Sequence, residues 1–238
     1  ADELQEAEGT QNFLNAMQNY PLLKGVQTNL YKCFMPLAWR MSSTQGVSAL
    51  LHPEGPYDDP KGGRLREEVY GRLCSHFQFA NSLFLFSDVH DQAKFGIHIY
   101  GPKKTQIGFN LICNLFTPST VDACFNHEGA EIVGGIKNEF NQWNTHGHRD
   151  RIVSIDEPAL ATFARLYDES GTPARRARLP ALHSGTLNSV LAKLAAFPSR
   201  LADFGKDFYF TEMWDETGAQ KDGTISRRLS NDSGFDAN

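Results

Sequence analysis

The chain has 238 residues, of which 40% are hydrophobic, 21% charged and 11% aromatic, with 17 phenylalanines. That is enough apolar material for one large or two small cores, and it excludes a disordered acidic or basic tail. The formal net charge of −5 argues against a chain-wide nucleic-acid surface, because neutralising phosphates needs clustered lysine and arginine.

Residues 1–28 are mostly polar, with one apolar cluster, Phe13, Leu14 and Met17, that fits a single amphipathic helix ended before Pro21. Asn29 stands where it can cap a helix whose apolar residues Leu30, Phe34, Leu37, Ala38 and Met41 recur at helical spacing, with Pro36 as an interior irregularity. The nearly continuous apolar run from Val47 to Pro53 reads as a strand covered on both faces, the kind found in parallel sheets. Residues 56–63 read as a loop, and Leu65, Val69 and Leu73, spaced by four, as the apolar face of the next helix. Phe77–Phe86 and Lys94–Tyr100 read as strands joined by a polar turn, which favours an antiparallel hairpin.

Beyond Lys104 the pattern loosens. Gly108–Phe116 reads as a further strand and Asn126–Asp150, rich in glycine, asparagine and histidine around Trp143, as a loop or small irregular sheet. Glu157–Asp168 and Thr186–Leu194 read as helices, the first with Pro158 in its first turn, and Asp207–Trp214 as an aromatic strand. The succession gives an α/β fold class. Residues 1–115 form the back half of an open sheet ending in a hairpin, 116–150 an irregular connection, and 151–238 a mixed, partly helical region.

Four cysteines, Cys33, Cys74, Cys113 and Cys124, lack C-x-x-C spacing and read as buried thiols of a reducing cytoplasm. Cys124, His127, His146 and His148 combine metal-ligating types, but their spacing matches no zinc pattern, and no metal is expected there. The acidic excess lies mainly before Arg151, whereas the later part carries Arg175, Arg176 and Arg178, which are candidate phosphate contacts. Walker loop, G-x-S-x-G elbow and H-E-x-x-H are all missing from the sequence, and no apolar run approaches the length of a membrane span.

Asn29-Leu30-Tyr31-Lys32-Cys33-Phe34, followed by Gly46-Val47-Ser48-Ala49-Leu50-Leu51-His52-Pro53, resembles the [ND]-L-Y-x-x-F … G-G-x-hydrophobic-P stretch of TaqI-like (gamma-class) adenine-N6 DNA methyltransferases. Arg64-Leu65-Arg66-Glu67 is similar to the L-R-E helix that comes next in that family, and Leu83–Tyr100 to its terminal hairpin. The match covers residues 29–101 in order. It implies a partial class I methyltransferase (Rossmann-like) sheet with its first half missing, followed by the opening of a target-recognition region.

The resemblance further implies S-adenosylmethionine as cofactor of the complete enzyme and double-stranded DNA as substrate. It also implies a bacterial restriction-modification or phage-defence setting, with further subunits of such a system as partners. Asn29, Tyr31 and Pro53 match positions near the cofactor pocket, and Tyr100 or Phe95 would stack on the flipped adenine, since an extruded base needs an aromatic face. The family's F-x-G-x-G loop and N-P-P-[YF] motif occur nowhere in the sequence. No catalytic residue is therefore assigned, and the missing N-terminal half would have to be supplied. A non-catalytic DNA-binding or scaffolding module of a defence complex is the alternative.

Overall fold

The computed structural model describes residues 2–27, 29–207 and 216–226, and these divide between two units, residues 1–196 and 197–238. The second unit holds a short 3-10 turn at Leu201–Phe204 and a helix at Glu216–Lys221. All but the first residue of the expected strand at Asp207–Trp214 lies outside the described residues. Among the described residues no helix is long and apolar enough to cross a membrane.

The first unit is an α/β structure on a five-stranded mixed sheet. Helices α1 (Asp2–Asn15) and α2 (Leu30–Met41) precede β1 (Ser48–Pro53), α3 (Gly55–Asp58) and α4 (Gly63–Arg72). Then come β2 (Leu73–Ala80), β3 (Lys94–Tyr100), β4 (Gly108–Leu115), α5 (Ser119–Asn126), β5 (Val153–Asp156), α6 (Glu157–Tyr167) and α7 (Thr186–Ala195). Strand order is β1-β3-β2-β4-β5. β3 runs antiparallel to both β1 and β2, so those two point the same way with the reversed strand between them. β4 continues parallel to β2, and β5 returns antiparallel.

Local sequence explains most of these elements. Asn29 caps α2 through its side-chain oxygen and the Tyr31 N–H, and the helix runs through Pro36 despite the lost hydrogen bond. Asp156 caps α6 by accepting from Ala159 N at 2.9 Å. α4 passes into β2 without a loop: Leu65 and Val69 are buried on the helix, whereas Leu73, the third member of the four-spaced series, opens the strand.

The sheet separates two apolar clusters. Phe109, Leu111 and Cys113 of β4 join the main core with Tyr70 of α4 and Leu160 and Phe163 of α6. Phe79, Phe95, Ile112, Leu115 and Cys124 form the second core, which places α5 on the other face. In β4 the alternation breaks at Asn114, whose φ of 56° is left-handed, and Leu115 thereby joins Ile112 on the second face. The register shifts at this point, Phe77 facing Ile112 and Phe79 facing Leu115, which marks a bulge in β4.

Four expectations are corrected. β1 is not covered on both faces: it pairs antiparallel with β3, is the sheet's edge among the described residues, and buries only alternate positions, so Leu51 points outward. Residues 56–63 are not all loop, since α3 occupies part of them. The strand expected over Phe77–Phe86 spans Leu73–Ala80 instead. It ends because buried Asn81 accepts from Phe86 N at 3.0 Å and donates to Phe86 O and Val89 O, folding Leu83–Phe86 into an exposed loop. α5 and β5 fall in stretches that carried no expected element.

Candidate functional site

The most polar part of the interior lies where β1, β2 and β3 meet α3. In the sheet register His52 of β1 faces Gly96 of β3, which faces Gln78 of β2; one step along, His98 faces His76. Side chains two apart share a face, so β3 presents Gly96, His98 and Tyr100 together. A register shift between Leu73 and Ser75 brings His76 and Gln78 of β2 to that same face. Tyr57 of α3 covers them: its ring stacks on His76 at 4.5 Å and on His98 at 5.4 Å. His52 and His98 stack at 3.7 Å, and Tyr31 of α2 lies on the outer side of His52 at 5.4 Å.

Glu54, which follows β1, is the buried anion of this cluster. Its Oε1 is 3.0 Å from His76 Nε2, and its Oε2 accepts from Gln78 Nε2 at 3.1 Å. His52 Nδ1 donates to Pro53 O at 2.8 Å, which fixes the tautomer and leaves Nε2 to accept from the Tyr100 hydroxyl at 3.2 Å. Tyr57 Oη lies 3.0 Å from His98 Nδ1.

Burial drives the electrostatics. Desolvation lowers the His52 pKa to about 4, against smaller favourable effects of the Pro53 carbonyl and Glu54. Desolvation, with repulsion from His76 and His52, holds His98 well below the ordinary imidazole range. Burial opposes ionisation of Glu54, but the charge and hydrogen bond of His76 and the Gln78 amide together outweigh it, and the carboxyl sits below its usual value. Burial pushes the Tyr57 and Tyr100 hydroxyls up, and Tyr31 reaches about 12. At neutral pH the site is thus one carboxylate, at least two neutral imidazoles and protonated phenols. Such a set can donate and accept hydrogen bonds in a low-dielectric pocket, or supply lone pairs to a cation.

The cofactor-edge candidates come together in part. Tyr31 and His52 border an apolar hollow of about 430 Å³ lined also by Phe34, Leu37, Met41 and Leu50. A side chain at Gly55 would meet the Tyr31 hydroxyl at 2.7 Å, so this glycine makes room for the ring over the end of β1. Asn29 serves as the helix cap, and Pro53 is exposed with its carbonyl on His52. Tyr100 and Phe95 are 1% and 9% exposed and lie in the two different cores, on opposite faces of β3.

The arginine candidates are each engaged within the chain. Arg175 forks onto Glu157 at 3.0 Å through two nitrogens, Arg176 meets Glu67 at 2.8 Å and Arg178 meets Asp168 at 3.0 Å. Of the histidine-rich loop, His127 and His148 stack at 4.3 Å, and both ring nitrogens of His148 are taken, by Glu131 O and Asp150 N.

The sequence reading missed the cluster around Glu54. Its signal was present as inward-facing polar residues at period two, His76-x-Gln78 and Gly96-x-His98-x-Tyr100, in and beside segments read as strands and not as a polar site.

No protein-family model and no curated protein matches the chain. Among solved structures it is similar to the M protein of the type I restriction enzyme EcoKI, at 13% identity and a TM-score of 0.40, over 70% of this chain and 41% of that one. The chain spans less than half of that protein's length, and a likeness of this size identifies no function.

Proposed function

We propose that this chain is the distal part of a bacterial adenine-N6 DNA methyltransferase of a restriction-modification or phage-defence system, acting on double-stranded DNA in the cytoplasm with S-adenosylmethionine as methyl donor. The observation that carries the reading is the placement of β3. Residues 29–100, which resemble the TaqI-like family in order and spacing, fold as capped helix, strand, helix and hairpin, with the reversed strand seated between two that run parallel. A reversed strand between two parallel ones is the hairpin arrangement the resemblance implies, and β4 and β5 extend the sheet beyond it.

A second feature supports an absent N-terminal half. The β1 edge and the α2 face beside it expose Leu30, Phe34, Met41, Val47 and Leu51. Contiguous exposed apolar side chains along a strand edge suit a protein partner. In this reading the missing half covers that margin and brings the glycine loop and N-P-P-[YF] site to the hollow beside Tyr31 and His52. Asn29, Tyr31 and Pro53 then form the far wall of the cofactor pocket. Arg175, Arg176 and Arg178 exchange acidic partners for phosphates. Stacking a base on Tyr100 or Phe95 requires the hairpin to open, since both rings are buried.

The reading is tested by equilibrium dialysis of labelled S-adenosylmethionine. The polypeptide that joins this chain to its preceding segment should bind the cofactor, the chain alone should not, and Tyr31→Ala should weaken binding by up to about tenfold, the worth of one aromatic contact. Equal binding by wild type and Tyr31→Ala removes Tyr31 from the pocket, and no binding by the joined polypeptide overturns the reading.

A further inference from the structure

Glu54, His76 and His98 form, among the described residues, the one group of three metal-ligating side chains whose donor atoms all lie within 4.8 Å of one another. They are 7%, 1% and 0% exposed. His98 Nε2 is 3.8 Å from Glu54 Oε1 and makes no hydrogen bond with any described residue. A buried polar nitrogen without a partner is costly and calls for an explanation.

The spacing supplies one. At 3.8 Å an imidazole nitrogen and a carboxylate oxygen are too far apart to share a proton. Two ligands each about 2.1 Å from a tetrahedral zinc ion, however, stand about 3.4 Å apart. The two distances to Glu54 Oε1, 3.0 Å from His76 and 3.8 Å from His98, bracket that value.

Neighbouring groups are placed as supports for ligands. Tyr57 Oη holds His98 Nδ1, which aims Nε2 at the carboxylate, and Gln78 holds the second oxygen of Glu54. Gly96 leaves the space: a Cβ there would lie 2.5 Å from Glu54 Oε1 and 2.6 Å from His98 Nε2. Its φ is not in the left-handed region, so room, rather than backbone conformation, is what the glycine provides here. His52 is excluded as a ligand because Pro53 O and the Tyr100 hydroxyl occupy both its nitrogens.

We propose that Glu54, His76 and His98 bind one zinc-class divalent ion, which staples the end of β1 to β2 and β3. Two imidazoles and a carboxylate suit Zn²⁺ or Co²⁺, whereas Mg²⁺ and Ca²⁺ demand oxygen-rich shells. Three protein ligands leave the fourth tetrahedral position to a water, and because all three are buried and the Tyr57 ring covers both histidines, the site is shut off from substrate and its role is structural; it does not depend on the methyltransferase reading.

The test is calorimetric titration of the chelator-stripped full chain with Zn²⁺, paired with thermal unfolding. The wild type should bind one equivalent, and its midpoint should rise by about 5–10 °C at a hundredfold excess over Kd. Glu54→Gln and His98→Asn should lose that equivalent, and Tyr57→Phe should weaken it about 10–100-fold. Failure of the wild type to bind, or binding that survives both ligand substitutions, overturns the proposal. Should those variants not fold, X-ray absorption of the wild-type zinc complex decides. Two imidazoles with oxygen and no sulfur support the site, while thiolate ligation or fewer imidazoles refutes it.

Discussion

Arg151→Met is expected to destabilise the first unit by about 3–5 kcal/mol, seen as a fall in the urea midpoint or a loss on the order of 10 °C in melting temperature. The bulge in β4 explains the size. Asn114 in the left-handed region turns the chain and leaves the carbonyls of Cys113 and Asn114 outside the regular ladder. Arg151 is 2% exposed and serves both, its Nη2 donating to each at 3.0 Å, while Nη1 donates to His146 O at 2.9 Å. One guanidinium thus holds the strand bulge and the end of the histidine-rich loop together. Methionine fills much of the volume but leaves three acceptors without a donor, each worth about 1–3 kcal/mol if buried. Arg151→Lys should recover only part, because an ammonium lacks the planar fork. A loss below about 1 kcal/mol for the methionine variant would show that the bulge holds without the clamp.

Arg66→Met is expected to cost about 3 kcal/mol by the same reasoning. Arg66, 1% exposed on α4, donates through Nε to Arg176 O at 2.8 Å and through Nη1 to Pro56 O at 3.2 Å and Asp59 O at 2.6 Å. It anchors α3 and the segment that carries the arginine candidates. Since Tyr57 sits on α3 and covers the histidine cluster, the variant should also speed hydrogen exchange of the Tyr57 and Asp59 amides more than that of the β4 amides. Uniform acceleration across the sheet would instead mean that Arg66 contributes only to global stability.

Both arginines show what a single sequence conceals. Helices α2, α4, α6 and α7 and strands β3 and β4 were legible because propensity, caps and apolar spacing agree, as at Asn29 and in the Leu65 and Val69 pair. β1 was misjudged because Ala49 and Leu51 are apolar yet face outward, and a continuous apolar run does not say which face is covered. The end of β2 was misplaced because one side chain, Asn81, stops it through contacts with Phe86 and Val89, a bond that no period reveals. The Glu54 cluster depends on the register among β1, β3 and β2 and on a bulge near Cys74, both of them long-range facts. Arg175, Arg176 and Arg178 were visible as a charged run, but their partners Glu157, Glu67 and Asp168 are set by tertiary packing.

The central claim is that this chain completes an adenine methyltransferase and cannot act alone. Its most direct test is transfer of a tritiated methyl group from S-adenosylmethionine to double-stranded DNA, with N6-methyladenine identified after digestion. The account predicts incorporation by the polypeptide that joins this chain to the segment before Ala1, and none by the chain alone. Zero incorporation by the joined polypeptide together with retained DNA binding would contradict it in favour of a binding module, and methylation by the isolated chain would contradict it outright.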